Sequence, residues 1–430
     1  MPVDSILRAL AASLALIGAR RAAPLVLATL LLSACASAPR TATPDPEPAS
    51  RYVILVSIDG LPASMLGDGT LPTLDALSAE GVHARWLTPS YPTLTFPNHY
   101  TLVTGLRPDR HGIVHNNMRD VALGVFISKE AGAKDGRWWG GEPIWATLQR
   151  QGGIAATMFW PGSEADIAGQ RPRHYVPFDR ALSPDARVDR VLDWLDLPAN
   201  ARPQLLTLYF EQYDVAAHEH GTLAPQSLRE LHGIDRALAR LRAGLHARGL
   251  DERTDLIVLS DHGMADVPRT QLRLLDDRLE NPPDASSYDV IWWGSFTGIQ
   301  PKPGHEREVE RAFVGRHDVY ACWRKGELPA QWRYGTHPRI PAILCQSDTG
   351  WRVQARRHTA WPNPVKGEHG FTPEAPEMRA VFVAAGPSFK RGTTLPAFDN
   401  VDVYPLLAHL LGIEPAPNDG TLASTRDALK

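Results

Sequence analysis

Cysteine is scarce in this chain: three residues among 430, Cys35, Cys322 and Cys345. So few thiols exclude a disulfide-dense scaffold, and no pair has the CxxC spacing of a zinc site. A basic run is missing as well. The 45 Lys and Arg stand against 48 Asp and Glu, a formal net charge of −3. They are spread along the chain, which excludes an electrostatic footprint for long nucleic acid. The most basic stretch, Arg352 to Arg357, is broken by apolar residues and reads as a strand face. There is no internal repeat. Past the N-terminal region, no apolar run reaches the ~20 residues of a membrane-spanning helix.

The N-terminal region reads as an address. Arg20 and Arg21 precede the apolar stretch Ala22 to Leu32, which ends in Leu32-Ser33-Ala34-Cys35. Residues 1–35 are read as a signal peptide with a lipobox-like end, at which Cys35 becomes lipid-modified; an ordinary cleaved signal peptide is the other reading. Met1 to Ala19 is also apolar, which leaves the start codon open. Residues 36–50, rich in Pro, Ala and Thr, read as a disordered tether. Both readings place the protein outside the cytoplasm, and it is expected as an exported bacterial periplasmic or cell-envelope lipoprotein, with no membrane attachment except a lipid anchor. In an oxidising compartment Cys322 and Cys345 can pair as a disulfide; two separate buried thiols are the alternative.

About 380 residues remain, enough for one large core or a core plus an inserted subdomain. Short apolar runs at Tyr52–Ser57, Ala155–Phe159, Leu205–Phe210, Leu256–Ser260 and Ala380–Ala384 suit central strands covered on both faces. Helical periodicity lies between them at Thr73–Glu80, Ile144–Arg150, Asp185–Leu195, Ala224–Arg248 and Val401–Leu411. The alternation predicts an α/β fold with a central, mostly parallel sheet flanked by helices. A catalytic domain is expected over residues 51–420, with a short tail at 421–430. Within it, residues 289–361 read as a small α+β insertion. Its strands are expected at Val290–Gly294, Thr297–Gln300, Val319–Trp323 and Ala342–Gln346, and its helix at Glu306–Arg316. The oligomeric state is not readable from these patterns.

Six metal-type side chains follow this framework. Asp59 ends the first strand, Asp214 and His218 follow the run Leu205–Phe210, Asp261 and His262 follow Leu256–Ser260, and His369 stands in Gly367-Glu368-His369-Gly370. Taken singly, Asp59-Gly60 is a turn, Asp214/His218 a surface ion pair and His369 a loop residue. Taken together, residues at several strand ends are how an open α/β sheet gathers a site at one edge. Three carboxylates and three imidazoles suit two zinc-like ions.

The most specific segment is Pro92-Thr93-Leu94-Thr95-Phe96-Pro97-Asn98-His99-Tyr100, continuing through Val103-Thr104-Gly105 to His111-Gly112-Ile113-Val114-His115-Asn116. With the metal-type residues, Trp138–Trp145, Phe159–Ala165 and Phe398–Pro405, it resembles the nucleotide pyrophosphatase/phosphodiesterase family of the alkaline phosphatase superfamily, over Tyr52 to Gly420. The resemblance implies an alkaline-phosphatase-like fold and two Zn2+ per chain. One ion would take Asp214, His218 and His369, the other Asp59, Asp261, His262 and the oxygen of Thr95. It implies Thr95 as nucleophile and Asn116 as donor to a phosphoryl oxygen. Phe96 and Tyr209 would sandwich a nucleobase, although either ring also reads as plain core. A metal ion on the threonine oxygen favours the alkoxide without a separate base.

Departures from relatives narrow the class. Thr-Phe-Pro-Asn replaces the Cys/Ser-x-Pro-x-Arg of sulfatases, and no arginine appears in the nucleophile segment before Arg107. A neutral Asn suits a singly charged diester better than a monoester dianion. The expected substrate is a nucleotide diester or nucleoside triphosphate, cleaved through a phosphothreonine to a nucleoside 5′-monophosphate. A choline-type phospholipid diesterase, a phosphomonoesterase on the same scaffold, and a non-catalytic nucleotide- or zinc-binding lipoprotein are the alternatives.

Overall fold

Strand Tyr52–Ile58 is buried at every position, as are Leu205–Phe210 and Thr254–Leu259. Strands without a polar face must be covered on both sides. In this computed structural model, which describes residues 51–128, 131–277, 279, 281–355 and 366–430, they are. Val53 and Leu55 join one apolar cluster with helices Thr95–Thr104, Ile144–Arg150 and Val403–Leu411. Ile54, Val56 and Ile58 join a second with helices Pro72–Glu80, Pro184–Leu195 and Pro225–Ala247. The signal peptide with Cys35, the tether and the predicted end of the insertion at Trp361 lie outside the described residues.

The sheet has eight strands in the order Thr393–Leu395, Val82–Ala84, Phe382–Ala385, Thr254–Leu259, Tyr52–Ile58, Leu205–Phe210, Ala155–Met158, His174–Val176. The last five of these run parallel to one another. Phe382–Ala385, predicted as Ala380–Ala384, is antiparallel to both of its neighbours. Register aligns Ile58 with Phe210 and Ser57 with Leu259. Three strands therefore end together, and residues 59, 211–214 and 260–262 share one edge.

The insertion builds a five-stranded antiparallel sheet in the order Tyr288–Trp292, Phe296–Pro301, Ile343–Ser347, Tyr320–Arg324, Gly315–Arg316. The predicted helix Glu306–Arg316 stops at Phe313. Val314 is extended and Gly315 adopts φ +128°, so the chain leaves the helix and forms an edge strand. Val309 and Phe313 pack on this sheet in a small separate core. Cys322 and Cys345, directly opposite in register, are joined by a disulfide. The last ten residues are not a free tail. Thr425 and Ala428 are buried, Leu429 bridges Phe389, and the Lys430 N–H donates to the Ser388 carbonyl. Leu422, Ala428 and Leu429 draw this segment onto the core, at a spacing that gives no periodic signal.

One buried ion pair supports the edge of the sheet. Arg187 is fully buried and forks onto both oxygens of Glu211, at 2.5 and 3.0 Å. It also donates to the Tyr209 carbonyl and lies over the Phe159 ring at 4.8 Å. Glu211 leads into the helix that carries Asp214. Arg187→Met leaves that carboxylate buried without its cation, and a loss of about 3–5 kcal/mol in unfolding free energy is expected. Denaturant titration checks this. Arg187→Met combined with Glu211→Gln should recover part of the loss, and an unchanged midpoint in the single variant would contradict the account.

Candidate functional site

The shared edge collects the six metal-type side chains into two groups: Asp214, His218 and His369, and Asp59, Asp261 and His262. Within each group the donor atoms lie within 4.8 Å of one another. Asp59 follows its strand directly, and Gly60 turns the chain at φ +71°; a Cβ there would come 3.3 Å from Asp214 Oδ2. Asp214 and His218 sit one turn apart on helix Gln212–His220, with Oδ2 and Nε2 3.4 Å apart. His369 follows the short strand Gly367–Glu368, which pairs with Ala265–Asp266 just past His262. Its Nε2 lies 3.6 Å from Asp214 Oδ2. The His262 and His369 rings stack at 3.8 Å, so the two groups abut.

Hydrogen bonds outside each group prepare the donor atoms. The Nδ1 atoms of His218, His262 and His369 lie 2.8, 2.9 and 2.9 Å from the carbonyls of Gly367, Gly263 and Thr93. A proton on each Nδ1 leaves each Nε2 a lone pair. Asp59 Oδ1, Asp214 Oδ2 and Asp261 Oδ2 are buried and accept no hydrogen bond from the chain. The other oxygens of Asp59 and Asp261 are held, by the Tyr209 hydroxyl and the Gly60 N–H. Three imidazole nitrogens and three unbonded carboxylate oxygens fit a pair of zinc-like cations. The charges point this way at Asp59 and His369, whereas at His262 burial lowers the imidazole but Asp261 and Asp214 outweigh it and raise it above its usual range. Burial, then Asp261 and Asp214, push the Asp59 carboxyl well above the usual range. Burial, then His262 and His218, hold His369 well below the usual imidazole range, which keeps it a neutral donor. Burial raises Asp261 too, but His262 and His99 outweigh it and keep that carboxyl well below its usual range.

Thr95 opens helix Thr95–Thr104. Its Oγ1 lies 3.4 Å from His262 Nε2, at a helix end whose dipole favours an anion. Thr93 is buried instead: its hydroxyl donates to the Phe371 carbonyl and accepts from the Gly370 N–H. Asn116 Oδ1 accepts from the Phe96 N–H at 2.8 Å, so its amide nitrogen is the remaining donor. Arg107 is engaged with Asp399 at 2.6 Å.

One aromatic assignment changes. Tyr209 does not offer a stacking face: its ring is buried, it meets His99 edge-on at 5.0 Å, and its hydroxyl is spent on Asp59. The accessible ring on that side is Phe178, 42% exposed and 6.2 Å from the Tyr209 ring. Phe96 is half-buried against Phe126 and Trp139. Sequence reasoning also passed over His99. Its Nδ1 lies 2.9 Å from the Thr95 carbonyl and 3.2 Å from Asp261 Oδ2, and its Nε2 is 2.8 Å from Ser57 Oγ. The signal available was its position four residues after Thr95, one helical turn on.

The chain is similar to several known proteins. A venom phosphodiesterase of Crotalus durissus collilineatus is 36% identical over 395 residues, covering 88% of this chain and 46% of that protein. Ectonucleotide pyrophosphatase/phosphodiesterase family member 3 of Bos taurus is 36% identical over 394 residues, covering 88% and 44%. The chain thus spans less than half the length of these relatives. Against an uncharacterized pyrophosphatase/phosphodiesterase of Schizosaccharomyces pombe it is 35% identical, covering 86% and 78%. The solved structure of murine ectonucleotide pyrophosphatase/phosphodiesterase 5, an inactive threonine-to-alanine form in complex with AMP, matches with a TM-score of 0.83. The identity is 32%, with 88% of this chain and 100% of that one covered. The fold is the alkaline-phosphatase-like one of these neighbours. Residues 53–372 match the family described as type I phosphodiesterase / nucleotide pyrophosphatase, and the chain belongs to that family.

Proposed function

We propose that this chain hydrolyses nucleotide phosphodiester or pyrophosphate bonds to nucleoside 5′-monophosphates, with two zinc ions and Thr95 as nucleophile. The observation that carries this is the Thr95 hydroxyl, 3.4 Å from the His262 donor nitrogen at a helix N-terminus. One ion would be held by Asp214, His218 and His369, the other by Asp59, Asp261, His262 and Thr95 Oγ1. Bound there, the ions would lower the pKa of the hydroxyl and stabilise charge on the leaving oxygen. Thr95 Oγ1 attacks phosphorus, the P–O bond to the leaving group breaks, and water then cleaves the phosphothreonine. His99 holds the Thr95 carbonyl, and the Asn116 amide donates to a non-bridging oxygen. In the murine relative, the inactive threonine-to-alanine form binds AMP, which supports a nucleotide as ligand here. The pair that brackets the base is Phe96 and Phe178. Export is supported by the run Ala22 to Cys35 and by the Cys322–Cys345 disulfide, which suits an oxidising compartment.

With Arg107 tied to Asp399 and a neutral Asn116 beside Thr95, a diester should be preferred over a monoester dianion. The test compares thymidine 5′-monophosphate p-nitrophenyl ester with p-nitrophenyl phosphate in the presence of zinc. A preference of about 100-fold in kcat/KM, ~3 kcal/mol, is expected. A monoester preference would sink the diesterase reading, and activity only on choline phospholipids would replace the nucleotide. Phe178→Ala should raise KM for the thymidine ester about 10-fold through lost stacking, with methyl p-nitrophenyl phosphate unaffected. Equal changes for both substrates would remove Phe178 from the base site.

A further inference from the structure

We propose that Tyr209 is a positioning residue for Asp59: it ties one carboxylate oxygen so that the other is presented to a metal ion. The inference rests on the two-ion reading above. Tyr209 lies on the strand Leu205–Phe210, in register beside Ser57 and two residues short of Asp59 on the neighbouring strand. From there its hydroxyl donates to Asp59 Oδ2. Oδ1 is left buried, without a hydrogen bond, 3.6 Å from His262 Nε2.

A similar division holds at Asp261, where the Gly60 N–H occupies Oδ1 at 3.2 Å and Oδ2 faces the ring nitrogens of His262 at 3.0 Å and His99 at 3.2 Å. Each carboxylate of this group thus has one oxygen tied and one presented, a geometry for monodentate ligation. Asp261 gets its tie from the main chain. Asp59 gets it from a side chain on another strand, and that side chain can be removed. The Tyr209 ring is itself fixed: His99 meets it edge-on at 5.0 Å and 86°, and Phe178 packs 6.2 Å away. A phenol held so firmly sets the angle of the carboxylate it bonds. Without that hydroxyl, Asp59 can rotate about its terminal torsion, and one buried oxygen loses its donor.

The test titrates zinc into the metal-free full chain against a chromophoric chelator, for the wild type, Tyr209→Phe and Asp59→Ala. The wild type is expected to take two equivalents. Tyr209→Phe, which keeps the ring and its packing, should also take two, with one of them weakened about 10- to 100-fold and the other unchanged. Asp59→Ala should lose the equivalent that Tyr209→Phe weakens. Wild-type affinity at both equivalents in Tyr209→Phe overturns the proposal. So does a raised KM for the nucleotide with zinc binding intact, which would assign the ring to the substrate. A wild-type chain that takes up no zinc overturns the two-ion reading and this proposal with it, and is told apart because Asp59→Ala then behaves as the wild type does.

Discussion

Thr95→Ala is expected to lower kcat on thymidine 5′-monophosphate p-nitrophenyl ester by about 10^4-fold or more, ~5 kcal/mol of barrier. The change removes one hydroxyl at the start of a helix that begins at that residue. No neighbour can replace it. The Thr93 hydroxyl is buried and committed to the Phe371 carbonyl and the Gly370 N–H. Ala suits a helix at least as well as Thr, so the fold should survive. AMP binding should survive too, because it would draw on Asn116, Phe96 and Phe178. Thr95→Ser should restore much of the rate. Turnover within tenfold of wild type in Thr95→Ala would mean that another group attacks phosphorus and that Thr95 is a bystander. Loss of AMP binding together with turnover would place Thr95 in ground-state recognition instead.

Removal of metal should have the second largest effect. Protein dialysed against a chelator until elemental analysis finds no zinc is expected to lose about 10^3-fold or more of its activity, and zinc should return it. Stability should follow. A ligand that binds only the folded state adds about 2.7 kcal/mol per site at a hundredfold excess over Kd, read as a rise of several degrees in Tm. The gain has a specific source. Asp59, Asp214 and Asp261 bury oxygens that no donor of the chain satisfies, and burial with the neighbouring carboxylates already pushes Asp59 well above its usual range. Cations would offset that crowding. Asp261→Asn should abolish one equivalent of zinc and most of the turnover. Full activity in protein shown to be zinc-free would end the metal-dependent reading, whatever the fate of Thr95.

Much of this was local information. Val53 to Ile58 has no polar face apart from Ser57, and Asp59 follows it directly, so strand and ligand are visible in one stretch of seven residues. Asp214 and His218 are four apart, which on a helix is one face. His369 was the hardest ligand to place by pattern, because it follows a strand of only two residues, Gly367–Glu368. Its position depends on pairing with Ala265–Asp266, about 100 residues earlier.

The misreadings have one cause. The family resemblance implies Tyr209 as a stacking ring, since it is the aromatic on the strand before Asp214. Whether a ring near a strand end faces substrate or a neighbouring carboxylate depends on its register against Ser57, which no local pattern contains. Phe178 stands in no periodic element and carries no signal until the chain brings it against Tyr209. Residues 421–430 read as a tail because Leu422, Ala428 and Leu429 show no period, yet they meet a surface assembled from the rest of the chain. By itself, then, the sequence determined the parallel strands, their helices and the residues at their ends, because burial and helical periodicity act over neighbouring positions. Only the tertiary structure decided which oxygen of each carboxylate stays unbonded, which aromatic ring stays exposed and how His99 reaches Thr95. Those depend on contacts between segments far apart in the chain, set when strand register and packing are fixed together.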